Sequence, residues 1–160
     1  MVLTQNFSHP RNSFTASHFL IGYGKCDRLH GHNYAVQVQL QYHNTFQSDP
    51  IDFRVINERI GTELRQLNQK ILIPKESSAV QISSTKNGKN WHVSVNEKMY
   101  SFPKQDVVIL EGIDLTTAEN LAQYIFLKLS KWFGQYFPQK IANIRVNVEE
   151  NLGNQASYSG

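Results

Sequence analysis

The run NYAVQVQLQY, Asn33 to Tyr42, constrains the fold more than any other stretch of the chain. Tyr34, Val36, Val38, Leu40 and Tyr42 share one parity, with mostly polar residues between them. In a strand these residues line one side, so the segment reads as a β-strand with one face in a core. Two further stretches show the pattern more briefly. In SFTASHF, Ser13 to Phe19, the residues on one side are Phe14, Ala16 and His18. In Ile141 to Glu149 they are Ile144, Val146 and Val148.

Two segments follow helical spacing instead. Phe53, Ile56, Ile60, Leu64 and Leu67 recur at steps of three and four, behind an Asp52 able to cap the first turn. Leu121, Ala122, Ile125, Leu129 and Trp132 form a second stripe, which begins near Thr116 or Thr117. Thr116-x-x-Glu119 has the form of a capping box, and Gly134 and Pro138 mark the end. Between the helices, Ala79–Ser84 and Trp91–Phe102 read as strand around a polar Asn87–Gly88 turn. The second of these stretches is broken near Asn96–Glu97. The order is strand, strand, helix, small hairpin, helix, strand. It predicts an α+β fold with a largely antiparallel sheet. With 160 residues, no repeat and no linker, residues 1–160 are expected to form one domain.

Composition narrows the function. A net charge of +3 from scattered lysines gives no dense basic run, so nucleic acid is not the expected partner. A small polyanion such as a triphosphate is compatible with it. No apolar run is long enough to cross a bilayer, and MVLTQNFSHPRNSF lacks the apolar stretch of a signal peptide. A single cysteine excludes an internal disulfide framework. The expectation is a soluble cytoplasmic protein without a membrane partner.

His30-Gly31-His32 is the sharpest local feature. Residues two apart in an extended chain point the same way, so both imidazoles reach toward one ion. Gly31 keeps the opposite side uncrowded. His18, on another strand, supplies a third nitrogen, and three neutral imidazoles leave a fourth tetrahedral position open, as in a catalytic zinc site. Nitrogen ligands of this kind favour zinc, with iron, nickel or copper also possible by chemistry. Taken alone, H-x-H is more often a pair of surface histidines. Cys26 lies among Lys25, Asp27 and Arg28, a polar loop in which cations and a nearby metal favour a thiolate. Glu149 and Glu150 end the last strand. One is expected to be solvated, and the other offers two acceptor oxygens to the paired N–H donors of a heterocycle.

Together these residues resemble one family, the 6-pyruvoyltetrahydropterin and 6-carboxytetrahydropterin synthases. The resemblance runs from FTASH (Phe14–His18) through CDRLHGHNY (Cys26–Tyr34), Asp52-Phe53 and TTAEN (Thr116–Asn120) to VEEN (Val148–Asn151) and Tyr158. It implies zinc on His18, His30 and His32, with Cys26 as the proton-transferring thiol. It implies Glu150 as the pterin anchor with Thr117 beside it. It further implies a tunnelling fold, or T-fold: an antiparallel sheet with two helices on one face. Several copies close such sheets into a barrel, usually as a hexamer acting on dihydroneopterin triphosphate. The KCDRLHGH block is closer to members that form 6-carboxytetrahydropterin, on the route to deazapurine-modified tRNA bases such as queuosine. An inserted hairpin, about 74–103, resembles longer members.

One departure stands out. Where the family places an Asp-His proton relay after a leucine, this chain has Leu67-Asn68-Gln69-Lys70. Neither Asn68 nor Gln69 titrates, so Cys26 lacks its expected imidazole partner. Of the remaining histidines, His92 in the inserted hairpin is the best candidate to replace it.

Overall fold

The expected central strand is β3, His30–Tyr42. Its even-numbered side chains from Tyr34 to Tyr42 are each 1% exposed or less. The computed structural model describes residues 3–8, 10–43 and 48–160; Met1, Val2 and His9 of the polar start lie outside them. On one edge of β3 sit two strands in line, both antiparallel to it. β1 (Thr4–Phe7) pairs with its second half, and β2 (Ser13–His18) pairs with its first half. On the other edge runs β9 (Ile141–Asn151), followed outward by β10 (Asn154–Ser159), again antiparallel.

Beyond β2 the sheet changes direction. β4 (Lys70–Pro74) joins β2 in parallel, and β8 (Val107–Leu110) joins β4 in parallel. Parallel neighbours need long crossovers. β2 reaches β4 through β3 and helix α1 (Phe53–Leu67), and β4 reaches β8 through residues 75–106. That second crossover contains the expected hairpin, which is a three-stranded antiparallel sheet: β5 (Val80–Ser84), β6 (Asn90–Val95) and β7 (Lys98–Pro103). The break foreseen near Asn96–Glu97 is the β6–β7 turn, where Asn96 takes a φ of 52°. This small sheet buries Val80, Val93 and Val95 against Phe19 and Ile73.

The two helices cover one face of the large sheet. Asp52 caps α1 by accepting the Arg54 N–H at 2.8 Å. Helix α2 (Ala118–Tyr136) brings Leu121, Ala122, Ile125 and Leu129 into the same core as Ile56, Ile60, Leu64 and Leu67 of α1. Apolar burial of this kind stabilises the fold by roughly 1.5–3 kcal/mol per large side chain. The core-facing parity of β2, β3 and β9 continues past the helices to one end of the sheet. There Phe14, Tyr34 and Val148 give way to His18, His30, His32 and Glu150 on the same face. Among the described residues no helix is long and apolar enough to cross a membrane.

Candidate active site

The three histidines are brought together by strand pairing. His18 ends β2 and His30 begins β3, directly opposite one another, while His32 pairs with Ala16. Their ligand nitrogens lie within 4.8 Å of one another. Gly31 permits this approach: a Cβ there would stand 3.0 Å from the Ala16 carbonyl oxygen. The expectation of an uncrowded opposite side therefore has a steric basis in the β2–β3 spacing.

Each ring is oriented by an oxygen behind it. His18 Nδ1 lies 2.9 Å from the Thr116 carbonyl oxygen, and His30 Nδ1 lies 2.7 Å from that of Arg28. His32 Nδ1 lies 3.3 Å from Asn151 Oδ1. A carbonyl oxygen only accepts, so each Nδ1 carries the ring proton and each Nε2 keeps its lone pair. Such outer partners are what metal-ligating histidines require. His18 is fully buried, and desolvation, with smaller contributions from His30 and His32, pushes its pKa down to about 4. It is a neutral ring near pH 7, as a ligand must be. The donor set thus fits one divalent ion.

Glu150 shares this face. Its Oε1 lies 3.1 Å from His32 Nε2 and 3.4 Å from His18 Nε2. Tyr34, fully buried and stacked on Phe14, closes the floor with its hydroxyl 3.4 Å from His18 Nε2. Burial, and then the Glu150 charge, raise the Tyr34 pKa, so the phenol stays protonated. Glu149 points the other way, and its Oε1 accepts the Gly153 N–H at 2.9 Å. Period-two alternation separates the two carboxylates.

A cavity of about 360 Å³ opens beside Glu150, lined also by Leu20, Thr117, Glu119, Asn154 and Gln155. Thr117 reaches it as the N-cap of α2, accepting the Asn120 N–H at 3.4 Å. This corrects the expected capping box. Thr116 is not the cap; it is buried, and its Oγ1 lies 3.1 Å from His18 Nδ1. Asn120 fixes the turn that carries both threonines by donating to Leu115 O and Asp114 Oδ1. A larger cavity, about 510 Å³, lies along α1 by Arg11, Asn12, Arg65 and Asn68, apart from the histidines.

Cys26 is not among the converging ligands. It sits half-buried in a 3-10 turn, Gly24–Asp27, within the loop that joins His18 to His30. Its carbonyl accepts the Leu20 N–H at 2.7 Å. From the small sheet, Lys98 Nζ donates to the Asp27 carbonyl oxygen at 3.0 Å, and Tyr100 stacks on Phe19. Asn68 and Gln69 stitch α1 to β2: Asn68 Oδ1 accepts the Thr15 N–H at 2.9 Å, and the Gln69 N–H donates to Thr15 O. Gln69 is exposed with a φ of 59°. His92 lies exposed on β6 opposite Ser83 and Ser101, outside the histidine cluster. Thr116, Asn151, Asn120 and Lys98 are the supporting residues that spacing did not reveal. Thr116, Asn120 and Asn151 lie inside the quoted TTAEN and VEEN blocks, whereas Lys98 lies in none.

The family model described as 6-pyruvoyl tetrahydropterin synthase matches residues 9–160. A Methanocaldococcus jannaschii protein named "Putative 6-carboxy-5,6,7,8-tetrahydropterin synthase" is 29% identical over 159 residues, covering 99% of this chain and 96% of its own. A Pyrococcus abyssi protein of the same name is 28% identical over 140 residues, 86% of this chain and 80% of its own. Among solved structures, Plasmodium vivax 6-pyruvoyltetrahydropterin synthase superposes with a TM-score of 0.87 at 26% identity, covering 100% of this chain and 98% of that one.

Proposed function

Since the chain belongs to the 6-pyruvoyl tetrahydropterin synthase family, we propose that it is a zinc-dependent lyase acting on the side chain of 7,8-dihydroneopterin triphosphate, forming 6-carboxytetrahydropterin. The observation that carries this reading is the convergence of three Nε2 lone pairs beside a cavity lined by Glu150 and Thr117. The names of the archaeal relatives favour the carboxy product over the pyruvoyl one.

In this reading His18, His30 and His32 hold the zinc, which acts as a Lewis acid toward the substrate side chain. Glu150 accepts the N–H donors of the pterin ring, with Thr117 beside it at the N-terminus of α2. Cys26 moves a proton between side-chain carbons as a general base and then acid. Buried Tyr34 keeps water from the floor of the site. The net charge of +3 suits a triphosphate. Several copies close their sheets into one barrel, as a hexamer, from the free edges at β10 and β8. The proposed location is the cytoplasm, with no nucleic-acid or membrane partner.

The Asn68-Gln69 pair at the relay position supports a second reading, in which the pterin is bound but cut differently or not at all. Product identification after incubation with dihydroneopterin triphosphate, with metal content measured on the same sample, separates the two.

A further inference from the structure

The cavity of about 510 Å³ along α1 plays no part in the function proposed above. Arg11 and Asn12 line it from just ahead of β2. Glu58, Gly61 and Arg65 line it from α1, and Asn68 from the end of that helix. None of its lining residues belongs to the histidine cluster or to the edge strands β8 and β10.

Two independent observations point to an anion in this cavity. The first is Asn12. It is 5% exposed, yet its Nδ2 is buried without a hydrogen-bond acceptor. A buried donor in that state is costly, and folded proteins leave few of them. Its backbone is fixed in place, because the Asn12 carbonyl oxygen accepts the Val36 N–H at 2.7 Å. A ligand oxygen would supply the missing acceptor.

The second is the setting of Arg65. Its Nη2 donates to Thr62 Oγ1 at 2.9 Å, and that hydroxyl donates to the Glu58 carbonyl oxygen at 2.9 Å. The guanidinium is thereby held over Gly61, where a Cβ would stand 3.1 Å from Arg65 Nη1. Glycine is a poor residue for a helix interior, and this close approach accounts for one in the middle of α1. Among the described residues Arg65 pairs with no carboxylate, although Glu58 lines the same cavity. A guanidinium held in one orientation matches the paired oxygens of a phosphate.

Arg11 and Arg65 outweigh the single carboxylate of Glu58, so the lining is net positive. The volume is that of a pocket that encloses a whole small molecule, more than a lone ion needs. Glu58 adds an acceptor for hydroxyl groups. We propose that this cavity is a second ligand site, separate from the histidines, that takes a phosphate monoester of a small hydroxylated molecule. Arg65, Arg11 and Asn12 Nδ2 hold the phosphate oxygens, and Glu58 accepts from the organic part. The proposal does not depend on the pterin reading.

Calorimetric titration of the full-length protein with ribose 5-phosphate, at constant ionic strength, tests it. Binding should saturate at about one per chain, with ribose silent and inorganic phosphate at least about tenfold weaker. Arg65→Gln should weaken ribose 5-phosphate at least about tenfold, and Arg65→Lys, which keeps the charge without the fork, should recover only part of that. Gly61→Leu fills the cavity and displaces the guanidinium. It should weaken binding as much, while the melting temperature of the ligand-free protein holds or rises, because leucine is the better helix former. Lys89→Gln removes a cation elsewhere and should change nothing, and saturating dihydroneopterin should leave the affinity unaltered. Absence of saturable binding would overturn the proposal. So would a loss in Lys89→Gln equal to that in Arg65→Gln, which would mean diffuse attraction to surface charge. Displacement by dihydroneopterin would place the phosphate at the histidine site and overturn it as well. Inorganic phosphate that binds as tightly as the ester would overturn the assignment to a monoester.

Discussion

His18 and His30 face each other across the β2–β3 pair, with ring centroids 4.6 Å apart. One ring is fully buried and the other half-buried, so the candidate metal site straddles the boundary between core and cavity. The buried ring carries an acid liability. Its pKa of about 4 in the folded protein lies below the ordinary 6.5, so the unfolded chain binds the extra proton first. Stability of the metal-free protein should fall as pH drops from about 6.5 to about 4, by up to about 3 kcal/mol from this group. Urea unfolding of chelated protein at pH 7 and pH 4 measures the loss, and His18→Leu should shrink it. An equal loss in the variant would assign the acid sensitivity to other groups.

The two adjacent threonines separate metal from helix. Thr116→Val removes the hydroxyl 3.1 Å from His18 Nδ1 but keeps the carbonyl, and should weaken zinc binding severalfold without touching the α2 cap. Thr117→Ala removes the cap and should cost about 1 kcal/mol, with zinc affinity unchanged. Chelator competition and thermal melts on both variants check the pair. If both lost metal equally, the turn would be acting as a single unit.

That division was hidden in the sequence, where Thr116 and Thr117 both fitted a helix start. The alternating strands, both helical stripes and the Glu149/Glu150 register were legible, because period-two and three-to-four patterns record which face is buried. The convergence of His18, His30 and His32 was legible from FTASH and HGH because strand geometry aims alternate residues alike. β4 and β8 were not, since KILIP and VVIL are short apolar runs without alternation, compatible with any buried segment. β10 was hidden for the opposite reason: NQASYS is an exposed edge strand with little apolar signal. The oxygens behind the histidine rings come largely from backbone, which composition does not report.

The small sheet should steady the cysteine turn. Lys98→Met keeps the side chain's apolar stem but loses the bond to Asp27 O. Cys26 should then alkylate with iodoacetamide a fewfold faster, with zinc content unchanged and Lys98→Arg restoring the wild-type rate. No change in the alkylation rate would mean the turn is held by Leu20 and the loop itself.

Cys26→Ala should lower turnover by at least about a hundredfold while zinc and pterin still bind. Gln69 sits at a left-handed φ that histidine tolerates, so Gln69→His should fold and should raise turnover if the relay position limits the rate. Steady-state rates on both variants decide the matter. A fully active Cys26→Ala protein would remove the thiol from the mechanism.

The most direct test of the account is the reaction of full-length protein with dihydroneopterin triphosphate, with products identified by mass spectrometry and zinc counted on the same sample. The account predicts about one zinc per chain, loss of triphosphate and of a two-carbon aldehyde from the side chain, and a 6-carboxytetrahydropterin product, with His18→Ala losing metal and turnover together. A protein that carries its full zinc and leaves the substrate intact, or a metal-free His18→Ala that turns over at the wild-type rate, would contradict it.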